Sequence, residues 1–298
     1  MATTAAAQGS VDATAVAKTS ERQPLRPGRV GIYIVLILYS VFSLGPFLYA
    51  VIASFETYGQ VLTTPPTFIP NPFTIGNYHE IFTNPDFYFL NYIANSMIYA
   101  LGAAFFNVIL GAMAGYAFGR MEFPFKNVLF ALTLAVMMIP SYLIMVPKFL
   151  VADDLGLVNS LAALVVPAMV SPTSVFLMTQ FLKTLPRELE ESAVIDGASR
   201  LRIFWQIILP LIRPAMTAVG LFAFQGAWND FLWPLLVMSS QNKYTLTVGL
   251  TFFKGLHYTQ YNLLLAGATL NILPLVILFF IFQRYFIRGV STAGLAGR

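Results

Sequence analysis

Cysteine is absent from all 298 residues, which removes disulfide frameworks, thiolate metal sites and thiol nucleophiles. Histidine occurs twice, at His79 and His257. Both fall in segments predicted to be exported loops, away from other ligands, so a membrane enzyme would lack its reactive cluster. Charge is scarce too: Asp, Glu, Lys and Arg make up 10% of the chain against 57% hydrophobic residues. No Gly-x-x-x-x-Gly-Lys-Ser/Thr run occurs, so this chain cannot cradle nucleotide phosphates by that route. What remains is apolar. A mean hydropathy of +0.72 lies outside the range of soluble domains. Six runs reach the length that crosses hydrocarbon as a helix, about 20 residues: 30–55, 92–118, 127–147, 155–182, 214–238 and 261–283. The predicted fold is all-α, a polytopic membrane protein with six transmembrane helices.

Lys and Arg favour the cytoplasmic side, and six spans place both termini on one face. If that face is inside, it holds fourteen basic residues, from Lys18 through Arg120, Lys183 and Arg213 to Arg298. The other face keeps Lys148, Lys243 and Lys254. The orientation is therefore N-in and C-in. The pI of about 9.2 reports this topology and not nucleic-acid binding. Residues 1–29, rich in Ala, Thr and Gln, read as a disordered cytoplasmic tail; residues 30–288 form the membrane domain and 289–298 a C-terminal cytoplasmic tail. The apolar run after the first tail is too long for a signal peptide.

The exported loop over 63–82 is rich in proline, which leaves room for only a short helix near Asn77–Phe82. Prolines recur inside the runs at Pro46, Pro140, Pro167, Pro172, Pro234 and Pro274, where each removes a backbone hydrogen bond. In the second run Gly111, Gly115 and Gly119 fall on one helical stripe with Ala103 and Asn107. Small residues at that spacing allow close helix approach, either inside the bundle or against a second membrane subunit.

One stretch does not fit the oily pattern. Between the fourth and fifth runs stands ELEESAVIDGASRLRIFWQIILP, residues 188–210. Pro186 precedes Glu188, Glu190 and Glu191, and acids suit the first turn of a helix. Leu189, Ala193 and Asp196 line one side, with Ser192 and Ala193 keeping the surface shallow. Asp196-Gly197 makes a turn, since glycine tolerates positive φ. Ser199 suits the cap of a second helix over 200–208, ended by Pro210. The pattern predicts a helix-turn-helix at the membrane surface, its small exposed residues open to another protein.

This stretch resembles the EAA loop of membrane subunits of ATP-binding-cassette importers, whose pattern is Glu-Ala-Ala, three residues, Gly, nine residues, Ile-x-Leu-Pro. Here the positions are Glu191-Ser192-Ala193, Gly197 and Ile207-Ile208-Leu209-Pro210, with Ser192 the one departure. The resemblance implies that the loop, Glu190 to Gly197 above all, is a coupling helix seated on a nucleotide-binding subunit. Residues 95–127, with Tyr-Ala-Phe-x-Arg-x-x-Phe-Pro, FTIGNYHEIF, GAWNDFLWPLL and the C-terminal QRYFIRGVSTAGLAGR resemble the carbohydrate-uptake branch, in particular maltose-type second permease subunits. The resemblance implies a second permease subunit, two copies of an ATPase subunit that hold the ATP and Mg, and an extracytoplasmic solute-binding protein. This chain itself would bind no cofactor.

Asp230 is the one acid inside a run. A charge at the bilayer centre costs about 2.5–3.5 kcal/mol on insertion scales, so Asp230 should face a cavity or a partner. Trp228, Asn229 and Trp233 stand beside it, and tryptophan faces with amide and carboxylate neighbours suit sugar rings; Trp at the outer boundary of the bilayer is the alternative. Asn95, Asn107 and Asn271 are further candidates for the pathway, or for interhelical hydrogen bonds. No Lys or Arg lies well inside a run, which favours neutral polyols over phosphorylated cargo such as glycerol phosphate.

Overall fold

The computed structural model describes residues 27–255 and 258–295, without the side chains of 27–29 and 284–295. Residues 1–26, Leu256, His257 and residues 296–298 lie outside the described residues, and with them most of the predicted N-terminal tail. Secondary structure among the described residues is helical, apart from one isolated bridge between Lys254 and Thr259. The chain divides between Leu48 and Tyr49 into two compact units. The first holds most of helix α1, Pro27–Ala53, up to Leu48; the helix continues through Pro46, and its segment Val30–Ala53 has a hydropathy of 2.1.

In the second unit the axis is α2, Phe89–Arg120. Its 32 residues extend about 48 Å at 1.5 Å per residue, more than the hydrocarbon thickness, so its ends reach both interfaces. The glycine stripe settles against α5, Pro172–Lys183. A Cβ on Gly111 would stand 3.1 Å from that of Ser174, one on Gly115 2.5 Å from that of Met178, and one on Gly119 3.2 Å from that of Leu182. The small residues thus serve packing inside this subunit.

Of the six predicted crossings, four segments are long and apolar enough to cross a membrane: Val30–Ala53, Phe89–Arg120, Leu161–Lys183 and Tyr261–Gln283. The last belongs to α9, Tyr261–Leu295. The run 127–147 departs from expectation. It forms α3, Lys126–Met137, then turns at Pro140 and resumes as α4, Met145–Asp154. Twelve residues cover only about 18 Å. The run 214–238 breaks as well, into α7, Arg213–Trp228, and α8, Leu232–Val237, separated by Asn229, Asp230 and Phe231. Leu161–Lys183 itself passes through a tight turn at Val166–Ala168 before Ser171 caps α5, with Pro172 at its first position. Proline favours that position because its missing N–H is an orphan there in any case.

Two clusters of buried apolar side chains form the core. One gathers Phe89, Tyr92, Trp228, Trp233 and Phe253 around the first half of α2. The other gathers Tyr116, Met178, Leu182, Ile203, Phe204 and Ile208 around its second half. This second cluster is the bed on which the charged stretch lies. On the loop side, the short helix Gly76–Thr83 forms where one was predicted. Its Asn77 amide donates to the Ser54 and Glu56 carbonyls and accepts from Asn262.

Candidate functional site

The charged stretch folds as an elbow. Helix α6, Glu188–Ile195, opens with Glu188, Glu190 and Glu191 in its first turn and is capped at Asp196. Gly197 follows at φ +77°. The Ala198 N–H donates to the Ala193 carbonyl and the Gly197 N–H to that of Val194, which is the Schellman pattern that ends helices on a left-handed residue. No atom lies within 4 Å of a Cβ built on Gly197, so backbone conformation and not crowding calls for glycine. Ser199 then caps Arg200–Ile203, its hydroxyl accepting from the Arg202 N–H at 3.3 Å.

The second arm does not end at Pro210 as expected. Phe204–Ile208 is a π-turn in which the Leu209 N–H reaches the Phe204 carbonyl, and Leu209–Leu211 continues it. A proline ring in an α-helix clashes with the carbonyl four residues back. The wider turn relieves that clash. The chain breaks instead at Ile212, where the arm and α7 meet at 78°.

Burial reassigns several of the loop residues. Ala193 was expected on the open face, yet it is buried beside Ile203 and Phe204, where its small size lets the two arms close. Ile207 and Leu209 pack against the same cluster, while Pro210 is exposed. The open face is formed by Glu191, Ser192, Asp196 and Gly197. Ile195 is 85% exposed and Leu201 70% exposed beside them. The Ser192 hydroxyl donates to the Leu189 carbonyl at 3.3 Å.

Glu190 departs furthest from expectation. It is turned inward, and its carboxylate pairs with the Arg120 guanidinium at the end of α2, with side-chain exposures of 7% and 3%. Tyr116 donates to the same carboxylate at 3.1 Å, and Arg200 lies 3.9 Å away. Arg120 also donates to the Leu185 and Pro186 carbonyls, both at 2.9 Å. Removing one member of a buried ion pair typically costs about 3–5 kcal/mol. Tyr116 and Arg120 are the tyrosine and arginine of the Tyr-Ala-Phe-x-Arg-x-x-Phe-Pro sequence, which carried the resemblance but gave neither residue a role. The available signal was that an oily chain burying an acid must supply it with a cation.

The second feature is an open groove of about 1090 Å³. Its walls come from α2, the segment before α4, the broken stretch ahead of α5, and the α7–α8 junction. Asp230 sits at that junction, lines the groove and accepts from the Tyr99 hydroxyl at 2.8 Å, while its carbonyl accepts from Thr247 at 2.7 Å. Lys148 of α4 places its ammonium 3.8 Å from the centre of the Trp233 ring, a favourable cation–π position. Lys148 lines the same groove as Asp230. The groove therefore does hold a cation, carried in by the turn that breaks the third run. Tyr99 and Lys148 are the lining residues that sequence reasoning passed over.

Asn229, Asp230 and Trp233 line this groove, but Trp228 does not. Trp228 is 1% exposed, stacks on Phe224 and donates its indole N–H to the Asn271 carbonyl at 2.9 Å. It is neither a sugar platform nor a lipid-facing belt residue. Asn95 donates to the Asn242 and Tyr244 carbonyls, both at 3.0 Å, and so pins an outer loop. Asn271 meets the core through its backbone. Asn107 lines the groove and bridges helices, donating to Ala168 and accepting from the Ser171 N–H and the Ser174 hydroxyl.

A family model described as binding-protein-dependent transport system inner membrane component matches residues 107–292, from the groove through the elbow into α9. The chain belongs to this family. It is a permease-type transport component of the inner membrane, a non-catalytic class. It is 36% identical over 254 residues, 85% of this chain and 91% of the relative, to the arabinooligosaccharides transport system permease protein AraQ of Halalkalibacterium halodurans. It is 33% identical over 261 residues, 86% of this chain and 85% of the relative, to the diacetylchitobiose uptake system permease protein NgcG of Streptomyces coelicolor. Identity is 32% over 264 residues, 87% and 94% of the two chains, to the sn-glycerol-3-phosphate transport system permease protein UgpE of Yersinia pestis. Among solved structures, this permease shares the fold of a chain from a bacterial ABC transporter involved in the import of the acidic polysaccharide alginate. The TM-score is 0.77 at 21% identity, covering 86% of this chain and 95% of the other.

Proposed function

We propose that this chain is one of two permease subunits of an ATP-driven, binding-protein-dependent importer that carries a di- or oligosaccharide across the cytoplasmic membrane by alternating access. Residues 30–288 form the translocating domain, flanked by cytoplasmic tails at 1–29 and 289–298. A separate pair of ATPase subunits holds ATP and Mg; this chain holds no cofactor. The ATPase grips the elbow through Glu191, Ser192, Asp196 and Gly197, with Ile195 and Leu201 supplying apolar contact. Glu190, Ala193, Ile207, Leu209 and Pro210 shape that surface from behind or beside it. The observation that carries the reading is the elbow, whose two arms meet at a left-handed glycine and present exposed apolar side chains.

Cargo passes along the groove lined by Tyr99, Asn229, Asp230 and Trp233, where hydroxyl, amide, carboxylate and aromatic groups suit a hydroxylated ring. Two relatives are named for sugar cargo, one for arabinooligosaccharides and one for diacetylchitobiose. A second reading, glycerol phosphate, draws on Lys148 in the groove and on the relative named for that solute. Asp230 opposite Lys148 balances the groove's charge, which favours neutral cargo. The test is titration of the cognate solute-binding protein with arabino-, chito- and malto-oligosaccharides and with sn-glycerol 3-phosphate, followed by uptake into proteoliposomes bearing the full importer. Saturable oligosaccharide binding and uptake are expected. Binding and uptake of sn-glycerol 3-phosphate alone would overturn the sugar assignment.

A further inference from the structure

We infer that Glu190 is a positioning residue that locks the elbow to α2, so that movement of the elbow is delivered along α2 to the groove. The inference rests on the proposed role of the elbow as the ATPase contact, and it removes Glu190 from the docking surface. Three observations carry it. Glu190 faces inward within the row of acids, and both its oxygens are engaged, one by Arg120 and the other by Tyr116. Arg120 is held at its far side by the Leu185 and Pro186 carbonyls, so one guanidinium joins α2 to the segment that enters the elbow. Along the same helix, Tyr99 grips Asp230 and Asn107 grips the stretch leading into α5. Gly111, Gly115 and Gly119 press α2 directly upon α5, leaving little room for slip between them. One continuous helix therefore has the elbow fastened at one end and the groove's polar groups at the other.

A packed interior transmits displacement when its joints are short and desolvated. An ion pair with both partners buried is such a joint, since neither water nor salt can take the place of either member. Glu191 lies one residue away, is exposed and has no such inward partner among the described residues, so the two acids divide the labour between docking and transmission.

The test uses the full importer in proteoliposomes and needs no knowledge of the cargo. With no native cysteine in this chain, Thr173→Cys places one thiol on the groove wall, where Thr173 is exposed. Its rate of modification by a membrane-impermeant maleimide is read with and without ATP, alongside ATPase copurification and hydrolysis. In the parent the rate should depend on ATP. Glu190→Ala should retain the ATPase and hydrolyse ATP, yet lose the ATP-dependence of the rate by about 5–150-fold, the usual range of a coupling term. Arg120→Lys should show the same loss in smaller degree, because an ammonium cannot span three acceptors as the guanidinium does. Glu190→Gln, whose amide oxygen still accepts from Arg120 and whose amide N–H can donate to the Tyr116 hydroxyl, should recover most of the response and so sets coupling apart from folding. An undiminished ATP-dependent rate in Glu190→Ala overturns the inference. Loss of the ATPase from Glu190→Ala also overturns it, by returning Glu190 to the docking surface. Failure of the elbow reading itself is distinguishable: it appears as an ATPase contact insensitive to changes at Gly197 and Ile195.

Discussion

Gly197→Asp removes uptake while leaving the protein folded in the membrane. The folded state tolerates the change because a side chain at this turn meets no neighbour. Left-handed backbone costs a non-glycine residue about 1–2 kcal/mol, and aspartate accepts that conformation better than most. The larger penalty falls on docking. The new carboxylate would sit beside exposed Asp196 on the open face, where the ATPase must exclude water. An unpaired charge buried at an interface costs about 2–5 kcal/mol, which corresponds to a loss of roughly 30-fold or more. Uptake per correctly inserted molecule should fall by at least that factor, with thermal unfolding in detergent little changed. Gly197→Ala should lose much less, since it brings the backbone strain without the charge. Normal uptake by the aspartate variant would mean that nothing closes upon this turn.

The second large effect is expected at Asp230. Asp230→Asn keeps an oxygen to accept from Tyr99 but leaves Lys148 without its balancing carboxylate in the groove. Hydrogen bonds to charged groups contribute about 1.5–3 kcal/mol, which is roughly 10–150-fold. Sugar uptake should fall within that range while assembly with the ATPase persists. Affinity of the groove for sn-glycerol 3-phosphate should move the other way, because an uncompensated ammonium now faces the path. A variant that carries sugar as well as the parent would reduce Asp230 to a hydrogen-bond acceptor for Tyr99, which asparagine replaces.

The legibility of these features in the sequence follows from what apolar patterning reports. Long apolar runs give membrane residence, but they are silent about where the backbone breaks. Hence Pro140 splits the third run into two short helices, and Asn229-Asp230-Phe231 splits the fifth, although neither interruption lowers hydropathy enough to show. Those breaks create the groove: one carries Lys148 to the face of Trp233 and the other presents Asp230. The elbow was far more legible, because Ser199, Gly197 and the run of acids are local signals with local physical causes. Which of those acids points inward was not local. Glu190 and Glu191 differ only in the side of α6 they occupy, and the distinction depends on Arg120, 70 residues away. Trp228 shows the same limit from the other direction: its chemistry suits a sugar, but its position on α7 faces the core.

The most direct measurement uses Ile195→Cys in cells, where the single introduced thiol takes the place of the elbow's most exposed large apolar side chain. A coupling elbow predicts that a short bifunctional cross-linker joins this position to a separate ATPase chain, that ATP changes the yield, and that an impermeant maleimide outside intact cells leaves it unlabelled. Labelling from the outside, or a folded importer in which this thiol never cross-links to an ATPase, would contradict it.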